Sequence, residues 1–417
     1  MDHRPHGRAP SRGELGGRNV LRRRGTLAAA TLASSCLVLG VLGTQAGSAA
    51  ATHAHHHGDH SAFKQVNLVS DIPGRAQLMD PAVKNPWGIV FGPATPLWVD
   101  NNFNPNAPAD LTTKITLYAG ANGTQPITKV PLEVKASSPT GIVFNASNSF
   151  KINQHNGDGR VPARFLFNET FASSSSSGPV PEGRITGWAP STNPNNAPPL
   201  ATTKTRARQA NSTPFGLGLV PASVPRGPRL LVAGAADRRI HVYNSRFKET
   251  TRPGQFFDRR AFKAGLVPYN VMFLNGRVYV TYFSGPGGPK NAVTVFGPNG
   301  MWHKRLVTNG RLAAPWGMAI APRHWGHFGG DLLVGNVDNG MVQAYNRHSG
   351  HFEGVLSDRH GAPIVNPGLW GIAFGNGVIG TPRTLIFSAG IGSGPGGSGN
   401  DIYEHGLVGL IRPVSHH

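Results

Sequence analysis

The sequence predicts an all-β fold, a six-bladed β-propeller closed by pairing of the N- and C-terminal strands. Three observations lead to this prediction. A phrase made of a turn residue, an aromatic or small residue, Gly (once Asn) and an apolar run occurs six times. Successive phrases are about 50 residues apart, with one gap of about 75, and such a period is typical of propeller blades. Finally, the two ends of the chain supply complementary parts of one blade.

The six phrases mark the inner strand of each blade. In chain order they are Pro86-Trp87-Gly88-Ile89, Pro139-Thr140-Gly141-Ile142, Pro214-Phe215-Gly216-Leu217, Pro268-Tyr269-Asn270-Val271, Pro315-Trp316-Gly317-Met318 and Leu369-Trp370-Gly371-Ile372. One blade cannot bury its own two faces, so neighbouring repeats must stack and close into a ring. We expect the aromatic residues to pack between blades while Gly lets the inner strands crowd the axis. The alternative is a platform of aromatic faces that stacks sugars around the channel mouth.

Further strands follow each phrase. They are predicted from short β-branched or aromatic runs bounded by Gly, Pro and Asn. These runs are 87–91, 97–99 and 114–118 in blade one, 216–220, 229–233 and 239–243 in blade three, 278–282 and 292–296 in blade four, and 316–320, 331–336 and 341–345 in blade five. Asn339-Gly340 predicts a tight hairpin between the last two runs of blade five.

The last repeat is one strand short. It contains strand-like runs at 370–374, 384–388 and 406–411, and a separate run at 63–69 precedes the first repeat. We predict that the separate run completes the last blade, because closure removes the exposed edges of an open ring. The long gap enlarges blade two, with its surplus expected as surface loop at 173–177 and 190–213. A Gly-rich stretch at 390–399 predicts a long loop in blade six.

The N-terminal region has the composition of an export signal. Residues 1–51 combine a basic leader ending in Arg22-Arg23-Arg24, an apolar run and a small-residue cleavage stretch, so we expect a cleaved signal peptide and a secreted protein. The adjacent arginines also suggest the twin-arginine route. Residues 52–61 are predicted to form a His-rich flexible segment, and 62–417 the propeller. The only cysteine, Cys36, lies inside the signal, so no disulfide is expected.

The formal net charge is +20. This charge favours an anionic partner such as a cell-wall polymer, a lipid headgroup or a polysaccharide. The alternative is that it serves solubility alone. The basic residues are scattered rather than arranged in one stripe interleaved with aromatic residues, so no nucleic-acid partner is predicted. No transmembrane anchor is predicted either, because the apolar run of the signal is short and interrupted.

Polar residues at strand ends are the candidate ligand-binding residues at the channel mouth. They are Asp100, Asn101 and Asn102 in blade one, Asn156 and Asp158 in blade two, Asp237 in blade three, and Asn336, Asp338 and Asn339 in blade five. Carboxylates and amides from several blades suit Ca²⁺, which takes six to eight oxygen ligands. The alternative is turn chemistry, since tight hairpins favour Asn, Asp and Gly in any case.

The sequence contains one weak candidate for transition-metal binding and no recognisable catalytic motif. His55, His56 and His57 lie in the His-rich segment and could bind Zn²⁺ or Cu²⁺ loosely. The nucleophile elbow of hydrolases and the phosphate-binding loop of nucleotide enzymes are both missing from the sequence. Catalytic residues are therefore left unassigned.

Several phrases resemble an uncharacterised family of secreted bacterial propeller proteins. The resemblance rests on Asn67-Leu68-Val69-Ser70-Asp71, on the run from Gly329 to Asn336, and on Leu369-Trp370-Gly371-Ile372-Ala373-Phe374 with His405-Gly406-Leu407. It covers about residues 63–413. The family resembles NHL-repeat propellers and, more distantly, gluconolactonase-like propellers, which would imply a Ca²⁺-dependent lactonase. Some members carry a PEP-CTERM sorting tail, which this chain lacks. The motif supplies no catalytic residues.

Three functions are compatible with these observations. The leading hypothesis is a secreted, non-enzymatic scaffold that binds an extracellular ligand or protein through one face. The alternative is a Ca²⁺-dependent hydrolase of lactones or esters on the channel face. A third is a module that binds the cell envelope through its positive charge. The sequence leaves the ligand, the face and the oligomeric state open.

Overall fold

The computed structural model describes residues 62–414 except 103–111, 155–158, 174–179, 193, 194, 198, 204–212, 286, 287, 289 and 309. The signal peptide, the His-rich segment with His55, His56 and His57, and the candidates Asn156 and Asp158 lie outside the described residues. Within them, strands dominate. Helical structure comprises a helix, α1 (Arg259–Lys263), and two 3₁₀ turns, Gly326–Phe328 and Pro395–Gly397.

The strands follow one another along the whole described chain. In the first half they are β1 (Phe63–Ser70), β2 (Leu78–Met79), β3 (Pro86–Val90), β4 (Leu97–Asn101), β5 (Thr112–Ala119), β6 (Thr128–Ser137), β7 (Pro139–Phe144), β8 (Lys151–Asn153), β9 (Arg160–Pro162), β10 (Phe165–Ser173), β11 (Val180–Trp188), β12 (Pro199–Thr203) and β13 (Pro214–Val220). In the second half they are β14 (Arg229–Gly234), β15 (Arg239–Tyr243), β16 (Val267–Leu274), β17 (Arg277–Phe283), β18 (Ala292–Phe296), β19 (Trp302–Val307), β20 (Pro315–Ile320), β21 (Leu332–Asn336), β22 (Val342–Tyr345), β23 (Phe352–Val355), β24 (Leu369–Phe374), β25 (Leu385–Ala389) and β26 (Leu407–Pro413).

Six antiparallel sheets form the predicted six blades. From the axis outwards they are β3-β4-β5-β6, β7-β10-β11-β12, β13-β14-β15, β16-β17-β18-β19, β20-β21-β22-β23 and β24-β25-β26-β1. The inner strands β3, β7, β13, β16, β20 and β24 begin at the six sequence phrases and contact one another in a closed circle. The all-β, six-bladed propeller prediction is confirmed.

Closure of the ring by the chain ends is also confirmed. Strand β1 pairs antiparallel with β26, from Phe63 opposite Pro413 to Ser70 opposite Leu407. A two-residue strand, β2, adds to the far side of β1 in parallel. Sheet pairing at the closure satisfies backbone groups that an open edge would leave exposed.

Blade two differs in part from the prediction. The stretch 190–213, expected to be surface loop, contains β12, which pairs with β11 as the fourth strand of the blade. A small hairpin, β8-β9, also interrupts the blade between β7 and β10. Its strands are only three residues long, too short for the alternating pattern that identifies strands from sequence.

The hydrophobic core is divided between neighbouring blades. Among the described residues, six clusters of buried apolar side chains each combine residues from two adjacent blades, one cluster for each junction around the ring. A seventh lies on the axis. Each blade therefore buries its two faces only against its neighbours, as the repeat argument requires.

No described helix combines the length and the apolar character needed to cross a membrane.

Candidate functional site

The aromatic residues of the phrases meet on the axis. Trp87, Phe215, Tyr269, Trp316 and Trp370, here called the axial plug, come from five different blades. The ring centroids of Trp87 and Trp370 are 4.2 Å apart, and Trp316 meets both edge-on at 5.3 and 5.2 Å. Except for the partly buried Phe215, each is at most 4% exposed. The rings thus fill the axis and pack against rings of other blades, as expected, and they do not form an open sugar-stacking platform.

Two end faces follow from the strand directions. The inner strands all begin at the plug, so we call that end the plug face and the opposite end the groove face. Hairpins that join the second and third strands of a blade lie on the plug face, whereas hairpins that join the first and second strands lie on the groove face.

Backbone crowding explains the glycine of the phrase. A Cβ at Gly317 would lie 2.4 Å from the carbonyl oxygen of Trp370, and one at Gly141 would lie 2.6 Å from the amide nitrogen of Leu217. Both contacts cross from one blade to the next. A side chain has no space there, so glycine lets the inner strands approach the axis closely.

Each inner strand also shifts register at its phrase, which frees backbone groups. Side chains of the second strands bond several of them. The amide of Gly371 donates to the hydroxyl of Ser388 at 3.0 Å, and the amide of Asn270 donates to the hydroxyl of Thr281 at 2.9 Å. The amide of Gly88 donates to the carboxyl of Asp100. These buried polar residues therefore complete the backbone at the axis.

The space that remains on the axis is small. A cavity of about 50 Å³ lies among the inner strands, lined by glycines and by apolar residues such as Ile142, Leu217 and Ile372. Small-molecule sites usually enclose about 300–1,000 Å³. The axis therefore has room for a few water molecules and no room for a lactone or a sugar.

Asp100 is the most unusual carboxyl of the candidate set. It is completely buried, and its Oδ2 has no hydrogen-bond partner among the described residues. Burial raises its pKa well above the usual value, despite the opposing hydrogen bond from Gly88. Asp100 is thus a neutral carboxylic acid at a pH where other aspartates are charged.

Asn101 and Asn336, two of the candidate asparagines, bond to neighbouring backbone groups. Asn101 donates from Nδ2 to the carbonyl of Lys114 at 2.7 Å. Asn336 donates from Nδ2 to the carbonyl of Val334 at 3.1 Å, and its Oδ1 accepts from the amide of Ala313 at 2.9 Å. Asn336 also donates to the carbonyl of Met341 across the Asn339-Gly340 turn, which matches the turn chemistry that the sequence left open as an alternative. Asn101 instead joins β4 to β5.

Asp237 belongs to a charge cluster in blade three that surrounds the buried His241. Its Oδ1 lies 3.2 Å from Nε2 of His241, and Oε1 of Glu249 lies 3.0 Å from Nδ1 of the same ring. Burial alone lowers the pKa of His241, but the hydrogen bonds and charges of the two carboxylates outweigh it and raise the pKa to about 9. Asp237 therefore serves as partner to an imidazolium.

Asp338 retains access to solvent at the plug face, and partial burial of its carboxylate raises its pKa. It follows Val337, which packs against the axial plug. Its charge also contributes, after burial, to the raised pKa of Tyr403.

The candidate residues share one end of the ring without forming a cluster. Asp100, Asn101, Asp237, Asn336 and Asp338 all lie at the plug face, in hairpins or strand ends of three blades. In the described part of the chain, no hydrogen bond joins any two of them. Nor does any group of three His, Cys, Asp or Glu side chains have the arrangement of a metal site among these residues. A Ca²⁺ site stays a prediction.

The larger cavities open on the groove face. One of about 820 Å³ lies beside the closing blade, lined by residues such as Leu410, Arg412 and Arg383. Two adjoining cavities of about 390 and 580 Å³ lie between blades three and four. We call this pair the arginine groove; its lining includes Arg226, Arg229, Arg252, Arg277, Asn299, Met301, Trp302 and His303.

No local sequence pattern predicts the arginine groove. Its arginines are scattered over three different loops, and only the ring brings them together with Trp302. The one local signal was Met301-Trp302, two large apolar residues directly after a Pro-Asn-Gly turn. In an ordinary turn such residues would be unexpected.

Comparison with known proteins supports the fold. No family model matches the chain. It is 27% identical over 320 residues to an uncharacterised protein, R648, of Acanthamoeba polyphaga mimivirus, a match covering 73% of this chain and 72% of that protein. A second mimivirus protein, R640, is 25% identical over 204 residues, covering 46% of this chain and 36% of that protein.

Among solved structures, an auxiliary nutrient binding protein from Bacteroides ovatus superposes with a TM-score of 0.51 and 10% identity, over 85% of this chain and 78% of that chain. At this identity the likeness shows the fold alone. The sequence relatives are viral, so the bacterial and NHL-repeat features of the resemblance are not confirmed and stay predictions.

Proposed function

We propose that the protein is a secreted, non-enzymatic scaffold that binds an anionic component of the cell envelope or extracellular space through its groove face. The observation that carries this proposal is the distribution of space. The axis holds a cavity of about 50 Å³, whereas the groove face opens cavities of about 390 to 820 Å³. A ligand of ordinary size fits only the latter.

Charge supports an anionic ligand. The full sequence has a formal net charge of +20. Cleavage of residues 1–51 would remove seven arginines and two acidic residues and leave +15. The cavities of the groove face are lined by arginines. A cationic surface raises the local concentration of anions and speeds their association, and salt weakens both effects. A scaffold of this kind needs no catalytic group.

Co-sedimentation tests this function. The purified protein is incubated with insoluble cell-wall sacculi that carry anionic polymers, and with cellulose as a neutral polymer control, over a series of salt concentrations. We expect retention on the sacculi at low salt that falls steadily as salt rises, and little retention on cellulose. Equal retention on both polymers, or none on sacculi at low salt, would contradict the proposal.

Metal and turnover measurements address the hydrolase alternative. Elemental analysis of the purified protein is combined with a panel of lactones and esters, for the wild type and for Asp100→Asn and Asp338→Asn. Stoichiometric Ca²⁺ that both variants lose, together with loss of hydrolysis, would overturn the non-enzymatic proposal. We expect no turnover that depends on either carboxyl, because Asp100 is sealed from solvent and Asp338 belongs to no group of three or more potential metal ligands among the described residues.

A further inference from the structure

The arginine groove contains a buried cation without a counter-ion. Arg229 is only 8% exposed, and its guanidinium donates to the carbonyl oxygens of Pro298 at 2.8 Å and Pro225 at 3.4 Å. Its Nε has no partner, and no ion pair joins Arg229 to a carboxylate in the described part of the chain. Burial, and then the charge of Arg226, lower its pKa, but a guanidinium stays protonated. A buried charge of this kind is costly unless an anion compensates it.

Three more cations line the arginine groove. Arg226, Arg252 and Arg277 are exposed and line the same groove. None of them forms an ion pair with a described carboxylate, whereas Arg184 and Arg305 elsewhere in the ring are each paired with a buried acid. The guanidinium groups of the groove are therefore free to bind an oxyanion, which arginine holds through two parallel hydrogen bonds.

An aromatic surface adjoins these cations. Trp302 is 55% exposed and Met301 is 70% exposed, and both line the groove that contains Arg226 and Arg277. The other tryptophans of the described chain are buried. An exposed indole ring in a cavity offers a flat apolar face for a ring-shaped ligand, while the surrounding arginines select negative charge.

We infer that the arginine groove is a binding site for an anionic glycan, with its phosphate or carboxylate groups on Arg226 and Arg252 and a sugar ring on Trp302. This inference rests on the proposed function and adds the site and the ligand class. A single exposed aromatic residue suits one sugar ring better than a nucleic acid, whose successive bases would need several stacking partners.

Binding measurements with defined polymers test the inference. The full protein is titrated at one low salt concentration with a phosphate-bearing wall teichoic acid, carboxylate-bearing polygalacturonate, neutral dextran, and inorganic polyphosphate, which has charge but no sugar. We expect both anionic glycans to bind and dextran to bind at least roughly tenfold more weakly. Whichever anionic glycan binds more tightly identifies the preferred oxyanion, phosphate or carboxylate.

Two groove variants and a charge-matched control locate the site. Arg226→Ala/Arg252→Ala should weaken binding of the anionic glycans by roughly tenfold or more. Arg323→Ala/Arg359→Ala removes the same charge from exposed positions of blade five and should change affinity by less than about twofold. Trp302→Ala should weaken glycan binding roughly fivefold while leaving polyphosphate binding unchanged.

The possible failures are distinct. Equal losses in the groove variant and the control variant would show that binding follows net charge alone and would overturn the site. Polyphosphate binding more tightly than either glycan would overturn the ligand class. Sacculi retention without any effect of the groove variants would leave the proposed function standing and refute this inference, whereas absence of retention would refute both.

Discussion

Asp100 shows how one buried residue ties stability to pH. Because its folded pKa lies above the unfolded value of about 3.9, folding stability is greatest below that value and falls as pH rises towards the folded pKa. Asp100→Asn keeps an acceptor for the amide of Gly88 but cannot ionise. We expect the stability of the variant relative to wild type to increase with pH, by up to about 1.4 kcal/mol per pH unit.

Urea unfolding of both proteins from pH 4 to pH 8 measures this difference. The amide adds a constant offset, because its Nδ2 takes the place of an oxygen that has no partner. The slope with pH is therefore the informative quantity. A difference that stays constant over the whole range would show that Asp100 ionises normally in the folded protein.

His241 adds a second dependence on pH in a different window. Its pKa is raised to about 9 in the folded protein, against about 6.5 when unfolded. Its contribution is fully present below about pH 6.5 and is lost as pH rises through 9, a change of up to about 3 kcal/mol. His241→Gln should remove this decline. An NMR titration in which the wild-type imidazole changes charge near pH 6.5 would contradict the expectation.

A single strand, β1, closes the ring. It supplies the outer strand of the sixth blade and places Phe63 against Trp325, with ring centroids 4.7 Å apart. We expect a protein that lacks residues 1–71 to fold poorly, because β26 is then an unpaired edge beside an exposed apolar surface. A synthetic peptide of residues 62–71 should bind this truncated protein and restore cooperative unfolding.

The comparison for this test is a protein that lacks only residues 1–61, which retains β1. Thermal unfolding by circular dichroism is measured with and without the peptide. The peptide should leave the shorter deletion unaffected. If the protein lacking residues 1–71 already unfolds as cooperatively as the shorter deletion, pairing of β1 with β26 does not hold the ring together.

The same elements show what sequence can predict. Blade number and closure followed from the repeated phrase and the lone run at 63–69, because a repeat imposes one local geometry six times. The hairpin β8-β9 and the strand β12 escaped prediction. The strands of the hairpin are too short to show the two-residue alternation of a β-strand. Strand β12 lies in a stretch rich in Pro, Asn and Thr, where pairing with β11 overrides weak local β propensity.

The axial plug and the arginine groove form only when the blades assemble, so no local sequence pattern predicts them. The repeated phrase predicted where Trp87, Trp316 and Trp370 occur, but not that equivalent positions on different blades converge into one plug. The arginine groove likewise joins Arg226 and Trp302, which are distant in sequence, through the stacking of blades three and four. The candidate site residues lie at turns, where Asn and Asp are common for conformational reasons alone, so their presence does not indicate a site.

The axial plug links five of the six blades, and this connection predicts cooperative unfolding of the whole ring. Trp370 is fully buried, stacks on Trp87, and donates from Nε1 to Oδ1 of Asn85 at 2.9 Å across the closing junction. Trp370→Ala should cost about 3–5 kcal/mol, because it leaves a cavity among rings that cannot collapse. Trp370→Phe, which keeps an aromatic ring but loses the hydrogen bond, should cost less.

Because every blade buries its faces only against its neighbours, fluorescence and circular dichroism should report one coincident transition in all three proteins. Separate transitions in the wild type would mean that blades unfold independently and that the plug does not couple them.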